Sequence, residues 1–235
     1  MNEPEHLLAV VPLKSPERAK TRLSAMLGPA QRRQLQYLLA ERVIRALQAT
    51  AGIDTVAVVT ASSEVAAFAR ALGARVLVQA VETGTAGAFN TAVQSLRRHQ
   101  ASQLLMISGD LPLITPAALQ RLLDRRLLAP HAIVVADRHG VGSNALLCAP
   151  PQALPPCFGT DSLRRHLSTA REAGVAIQVM QDPALSLDLD LPADFEALRL
   201  QCGSCAEALL AALQAAPPTA ESSSGSSVEQ AIRAA

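Results

Sequence analysis

Short apolar runs rich in Val, Ile and Leu recur along this chain, each followed by a longer stretch with helical spacing. That alternation restricts the fold more than any other feature. Strands are expected at Leu7–Pro12, Thr55–Thr60, Arg75–Gln79, Gln103–Ser108, Ala132–Ala136, Asn144–Ala149 and Val175–Met180. Between them, residues 29–49 carry Leu35, Leu38, Leu39, Val43, Ala46 and Leu47 at near-helical spacing. Ser62 caps a helix that ends near Gly73, and Ala86–His99 reads as another. Thr115-Pro116 opens a helix to about Leu128, Asp161–Ala173 forms one more, and Pro192 opens a last helix running into the 200s. Such alternation specifies an α/β protein with a mainly parallel sheet flanked by helices on both faces. Ligands in sheets of this kind bind beyond the carboxyl ends of the strands, so the residues just after each strand are the candidates for function.

Composition removes several function classes. The chain has 235 residues, 49% hydrophobic and 17% charged, with 21 Lys and Arg against 20 Asp and Glu. Whole-chain disorder is excluded, and no global charge draws the protein to nucleic acid or an anionic membrane. Aromatic residues are 2%, with no Trp, which leaves no platforms for stacking single-stranded bases. No apolar run reaches membrane-spanning length, and the N-terminus MNEPEHLLAVVPLKS has acids where a signal peptide needs cations. A cytoplasmic protein with its four Cys as reduced thiols is expected. Residues 1–215 read as one domain and 216–235, containing PPTAESSSGSS, as a flexible tail.

Three kinds of segment could carry chemistry. After the first strand, VPLKSPERAKTRLS places Lys14, Arg18, Lys20 and Arg22 within nine residues. Ammonium and guanidinium groups there would neutralise phosphoryl oxygens, although the loop reads equally well as a solvated basic segment. It is not a Walker A loop, because no G-x-x-x-x-G-K-[ST] occurs in the chain. After the fourth strand, ISGDLPL places Asp110 where a lone carboxylate suits Mg²⁺; the alternative is a capping or loop Asp. Asp188 and Asp190 in LSLDLDLPADF alternate, so an extended backbone would put both on one face with access to the same metal.

Two Gly-containing loops follow. Gly140 to Ala145 formally matches G-x-G-x-x-A, but strand-like residues and Pro150 follow where a dinucleotide site requires a helix. In CFGTDSLRRH, Gly159 allows close backbone approach, and the helix opening at Thr160–Ser162 would attract an anion. Cys202-Gly203-Ser204-Cys205 lacks the further ligands of a zinc site and lies too late for a thioredoxin-like motif. His166 lies one turn from Ser162 and could face the same pocket, but a surface position is expected for it. No G-x-S-x-G is present.

In order, V-P-L-K…A-K-T-R-L, A-F-N-T-A, G-D-L-P-L, D-R-x-G-x-G-S-N-A-L, F-G-T-D-S and L-D-L-D-L-P-A-D resemble the guanylyltransferases of deazaflavin (F-420) coenzyme biosynthesis, over about residues 7–200. The resemblance implies a nucleotide-diphospho-sugar-transferase-like fold. It also implies Mg²⁺-dependent transfer of GMP from GTP to a small phosphorylated carboxylic acid: 2-phospho-L-lactate, phosphoenolpyruvate or 3-phospho-D-glycerate. Carried over by motif, Lys14, Lys20 and Arg22 would contact the GTP phosphates and serve catalysis, and Asn90 would lie near the nucleotide. Ser143, Gly159 and Ser162 would hold the acceptor acid, and Asp110 with Asp188 or Asp190 would bind the metal. The chain departs from the family pattern at Phe89, at Gly109 where Ala is common, and at Leu191, which removes a capping Thr beside Asp190. Two other readings stay open: a molybdopterin-type nucleotidyltransferase, disfavoured by the Gly-free first loop, and a non-catalytic nucleotide-binding module. The resemblance leaves a homodimer open.

Overall fold

Seven strands form one sheet in the order β3-β2-β1-β4-β6-β5-β7. The computed structural model describes residues 6–81, 84–95, 101–126 and 129–215. The strands are β1 Leu7–Pro12, β2 Thr55–Thr60, β3 Arg75–Val78, β4 Gln103–Ile107, β5 His131–Ala136, β6 Ser143–Ala149 and β7 Ala176–Met180. Helices α1 Pro29–Gln48, α2 Ser63–Ala71, α3 Gly84–Ser95, α4 Pro116–Leu123 and α5 Ser162–Ala173 fall between them. Helices α6 Pro183–Ser186, α7 Pro192–Gln201 and α8 Gly203–Gln214 follow the last strand. The expected helix ends at His99 and Leu128, and the tail from residue 216, lie outside the described residues.

All strands run parallel except β6, which is antiparallel to both β4 and β5. The reason is the connection: residues 137–142 are too few for a parallel crossover, which needs a dozen or more, so β5 turns back as a hairpin. Strand β4 is fully buried and apolar after Gln103, as a central strand covered on both faces must be.

Period-two alternation divides the core. Leu7, Ala9 and Val11 of β1 face one side, against Val43 and Leu47 of α1, Val65 of α2 and Leu119 and Leu122 of α4. Leu8 and Val10 face the other, against Ala88, Phe89 and Ala92 of α3 and Ala170 of α5. A third cluster joins Leu23, Leu35 and Leu39 to Leu187, Leu189, Phe195, Leu198 and Leu213. It fastens the loop after β1 to α7 and α8.

The capping expectations hold at two helices. Ser62 Oγ accepts the Val65 N–H at 3.3 Å, and Thr115 Oγ1 accepts the Ala118 N–H at 3.2 Å with Pro116 following. The helix opened by Pro192 is not continuous, because Cys202 at φ −154° breaks it and starts α8. The Cα atoms of Cys202 and Cys205 at the start of α8 are 5.3 Å apart, within disulfide range, and the two are bonded. The expectation of four reduced thiols is corrected accordingly: Cys148 and Cys157 are free. Among the described residues no helix is long and apolar enough to cross a membrane.

Candidate active site

The strand order reverses between β1 and β4, and a cleft of about 700 Å³ opens beyond their carboxyl ends. It is lined by Leu13–Arg22 after β1, Ser108–Asp110 after β4, the β5–β6 turn, Phe158–Ser162 at the start of α5, the stretch containing Asp188 and Asp190, and single residues Gln36 of α1 and Thr85 of α3.

The first segment folds into two 3₁₀ turns, Pro16–Arg18 and Thr21–Leu23, with Lys20 between them at φ 55°, ψ 29°. A side chain in this left-handed region is strained, which at a site otherwise well held marks a constrained position. The turn drives Leu23 into the third core cluster and sends Lys20 inward. Its Nζ donates to Asp110 Oδ2 at 2.6 Å and to Asp190 Oδ1 at 2.8 Å. Burial opposes the Lys20 charge, but the two carboxylates outweigh it and raise its pKa. Lys14, Arg18 and Arg22 also line the cleft and are exposed. The buried amide of Gln36 fixes the start of the loop by donating to the Lys14 carbonyl at 2.7 Å.

Asp188 and Asp190 come forward as the alternation predicts. Leu187 and Leu189 are fully buried in the third cluster, and the two carboxylates between and beyond them turn to the cleft. The Leu189 N–H donates to the Asp110 carbonyl at 3.2 Å, which locks the two acidic segments in register. Asp110, Asp188 and Asp190 each offer a carboxylate oxygen within 4.8 Å of the others. Lys20 balances only part of this charge. Burial and the neighbouring Asp110 and Asp190 push Asp188 up to about 7. Burial also opposes the charge on Asp190, but Lys20, Arg22 and Lys14 prevail and hold it below the usual carboxylate range. Asp110 Oδ1 is buried without a hydrogen-bond partner. Three hard oxygen donors, surplus negative charge and an unsatisfied oxygen fit a Mg²⁺-type cation.

Leu191 offers no capping hydroxyl, yet the turn beside Asp190 is well held. Asp194 Oδ2 accepts the N–H groups of Asp190 at 2.8 Å and Leu191 at 2.6 Å. Its other oxygen, Oδ1, accepts Nε and Nη2 of Arg138 at 3.2 and 2.8 Å. Neither Arg138 nor Asp194 was a sequence-predicted site residue; an acid three residues into α7 is the signal that could have found Asp194.

Ser143, Gly159 and Ser162 line the same cleft. Asp137 Oδ1 accepts the N–H groups of His139 and Val141, which tightens the β5–β6 turn. A Cβ on Gly142 would lie 2.7 Å from Asp137 Oδ2, so a larger residue there would displace the carboxylate that tightens the turn. The Leu163 N–H donates to the Val141 carbonyl at 3.1 Å and joins the turn to α5. Gly159 sits at φ 110° and Asp161 at φ 51°. Lys20 and Asp161 are the two non-glycine residues with positive φ among the described residues, and both line the cleft. His166 is not at the surface: it is fully buried, between Ser143 Oγ and the Cys157 N–H. Asn90 is the sequence-predicted site residue that the cleft does not gather. Helix α3 buries Ala88, Phe89 and Ala92, which turns Asn90 to solvent, and Thr85 is that helix's contribution to the lining.

Residues 7–226 match the family described as guanylyl transferase CofC like. The chain is 38% identical to phosphoenolpyruvate guanylyltransferase of Conexibacter woesei over 81% of its own length and 86% of that protein. It is 34% identical to 3-phospho-D-glycerate guanylyltransferase of Colwellia psychrerythraea, over 81% and 90% of the two chains. Among solved structures, a nucleotide-diphospho-sugar transferase candidate from Desulfovibrio desulfuricans G20 superposes with a TM-score of 0.72 at 16% identity, covering 89% of this chain and 97% of that one. A nucleotidyl transferase from Methanothermobacter thermautotroptrophicus gives a TM-score of 0.60 at 17% identity, over 83% and 97%. The sheet is thus that of the nucleotide-diphospho-sugar transferases, and by its sequence the chain belongs to the CofC-like guanylyl transferase family.

Proposed function

We propose that this enzyme transfers GMP from GTP to the phosphate of a small phospho-acid and releases pyrophosphate, as a step in F-420 coenzyme biosynthesis. The observation that carries the reading is one cleft lined together by Lys14, Arg18, Lys20 and Arg22, by three clustered carboxylates and by Ser143, Gly159 and Ser162. Phosphoenolpyruvate and 3-phospho-D-glycerate are the acceptors named for relatives, and 2-phospho-L-lactate is the third candidate. GTP and these acids are metabolites of the cytoplasm, and the enzyme is placed there.

The reaction is an in-line displacement at the α-phosphorus. The attacking phosphate oxygen is already an anion, so no strong general base is needed, and the task is to bring two anions together. Lys14 and Arg22, exposed on the rim, bind and neutralise the phosphates of GTP. Lys20 holds Asp110 and Asp190 in place and keeps a positive charge beside them. Ser143, Gly159 and Ser162 receive the acceptor. Asp110, Asp188 and Asp190 would hold Mg²⁺, which when bound screens the charge between the two substrates.

The test is pyrophosphate release with GTP and Mg²⁺, each of the three acids being offered separately, with mass spectrometry of the product. Release with one acid and a guanylylated product of matching mass is the expected result. Silence with all three, in a folded protein that binds GTP, would overturn the assignment in favour of a binding module.

A further inference from the structure

The buried imidazole of His166 has no part in the phosphate chemistry, yet it is bonded at both nitrogens. The Cys157 backbone N–H donates to Nε2 at 2.9 Å. A backbone N–H can only donate, so Nε2 must carry a lone pair. The ring is fully buried, Phe158 packs edge-on against it with centroids 5.1 Å apart, and Phe89 packs on Phe158 in turn. Burial and the nearby Arg165 push the imidazole pKa down to about 4, so the ring is neutral at pH 7. Its one proton therefore resides on Nδ1, 3.1 Å from Ser143 Oγ.

The direction of the next bond follows. Nδ1–H donates, Ser143 Oγ accepts, and the hydroxyl proton of Ser143 is directed away from the ring. Ser143 lines the cleft with 8% exposure, so that proton is presented to whatever occupies the acceptor side. We propose that His166 is a positioning residue that turns the Ser143 hydroxyl proton toward the cleft, where it is donated to a carboxylate or phosphate oxygen of the acceptor acid. The proposal rests on the acceptor reading given above. It assigns a polarity to the pocket: with one lone pair of Oγ engaged by Nδ1–H, the hydroxyl proton is kept for an acceptor oxygen of the ligand.

Two measurements test it. The first uses the unaltered protein: ¹⁵N-labelled imidazole shifts at pH 7 should show His166 with a protonated Nδ1 and a bare Nε2. The opposite tautomer, or an imidazolium, would overturn the proposal whether or not the enzyme turns over. The second is a double-mutant cycle in which GTP and acceptor are varied separately. Ser143→Ala and His166→Phe should each raise the acceptor KM about tenfold, as expected for losing one oriented hydrogen bond to a charged group. The KM for GTP should stay within about twofold, and the double variant should be no worse than Ser143→Ala. Multiplicative losses in the double variant, or a His166→Phe effect falling equally on GTP, would mean that His166 acts structurally and would overturn the proposal. An unchanged acceptor KM in Ser143→Ala would instead remove the acceptor from this pocket, and both the site assignment and the proposal would fall together.

Discussion

Lys20 Nζ stands 2.6 Å from Asp110 Oδ2, with Asp190 Oδ1 on its other side at 2.8 Å. One ammonium thereby bridges the acidic segment after β4 to the one before α7. The Lys20 side chain is 6% exposed, so this is a buried ionic network, whose members are costly to remove singly. The left-handed backbone of Lys20 costs on the order of 1 kcal/mol, which the Leu23 anchor and the two ion pairs offset.

Replacing Lys20 by Met should lower turnover by about 100-fold or more, the scale of losing a preorganised charge at a phosphoryl site. Lys20→Arg should not restore it, because a planar guanidinium cannot occupy the point between two carboxylates that one ammonium fills. Lys20→Gly should melt higher than Lys20→Ala, since only glycine adopts φ 55° without strain. Pyrophosphate-release kinetics and thermal melts check both; a Met variant with normal turnover would remove Lys20 from the chemistry.

Asp188 gives a pH signature in metal-free protein. Its folded pKa is raised from 3.8 to about 7, first by burial and then by Asp110 and Asp190. The folded state therefore keeps a proton that the unfolded chain releases between those values. Folding stability falls as pH rises through that window and stays lowered above it. With EDTA present, Asp188→Asn should be more stable than the parent at pH 8, by on the order of 2 kcal/mol, and the gap should narrow at pH 5. The same variant should lose activity. Melts in EDTA at the two pH values decide it, and a pH-independent difference would count against the raised pKa.

Much of this was legible because it follows from periodicity. Leu187-Asp188-Leu189-Asp190 reads as alternation, and the structure buries the two leucines and turns the carboxylates outward. Apolar β4 followed by Asp110 likewise announces a strand end at the sheet's switch point. The direction of β6 is not a matter of composition, although the shortness of residues 137–142 implied it. Lys14 and Lys20 look alike in sequence; the left-handed turn that buries one and leaves the other exposed carries no residue-type signal, since glycine is the usual marker. Burial of His166 depends on Phe158 and Phe89 meeting from distant segments, and exposure of Asn90 depends on which face of α3 holds Phe89. Both are tertiary facts.

Arg138 and Asp194 should act on Asp190 through the backbone. Asp194 is 6% exposed, holds two N–H groups with one oxygen and Arg138 with the other. Asp194→Ala removes all four bonds and should destabilise the fold by about 3 kcal/mol, the lower end for breaking a buried pair. Asp194→Asn keeps one oxygen for the two N–H groups and should cost less. Arg138→Met, which leaves that turn intact but strips the counter-charge, should fall between them in denaturant titrations. An Asn variant as unstable as the Ala variant would show that the charge, not the capping geometry, carries the interaction.

The last helix should mark where the chain becomes dispensable. Helix α8 lies on α1: Gln34 and Gln31 donate to the carbonyls of Ala212 and Leu213, and Leu213 is 3% exposed in the third core cluster. That cluster also holds Leu23, beside Lys20, and Leu187 and Leu189, beside the two carboxylates. A chain ending at residue 216 keeps all of these contacts, and its melting temperature and turnover should match the parent's. A chain ending at residue 202 strips α8, exposes Leu35 and Leu39, and deletes the buried Leu213 side chain, each large apolar group being worth about 2–3 kcal/mol of burial. It should melt well below the parent and lose activity through the loosened Leu23 and Leu189 anchors. Full activity in the shorter chain would uncouple the third cluster from the site, and loss of activity in the longer one would give residues 217–235 a role in turnover.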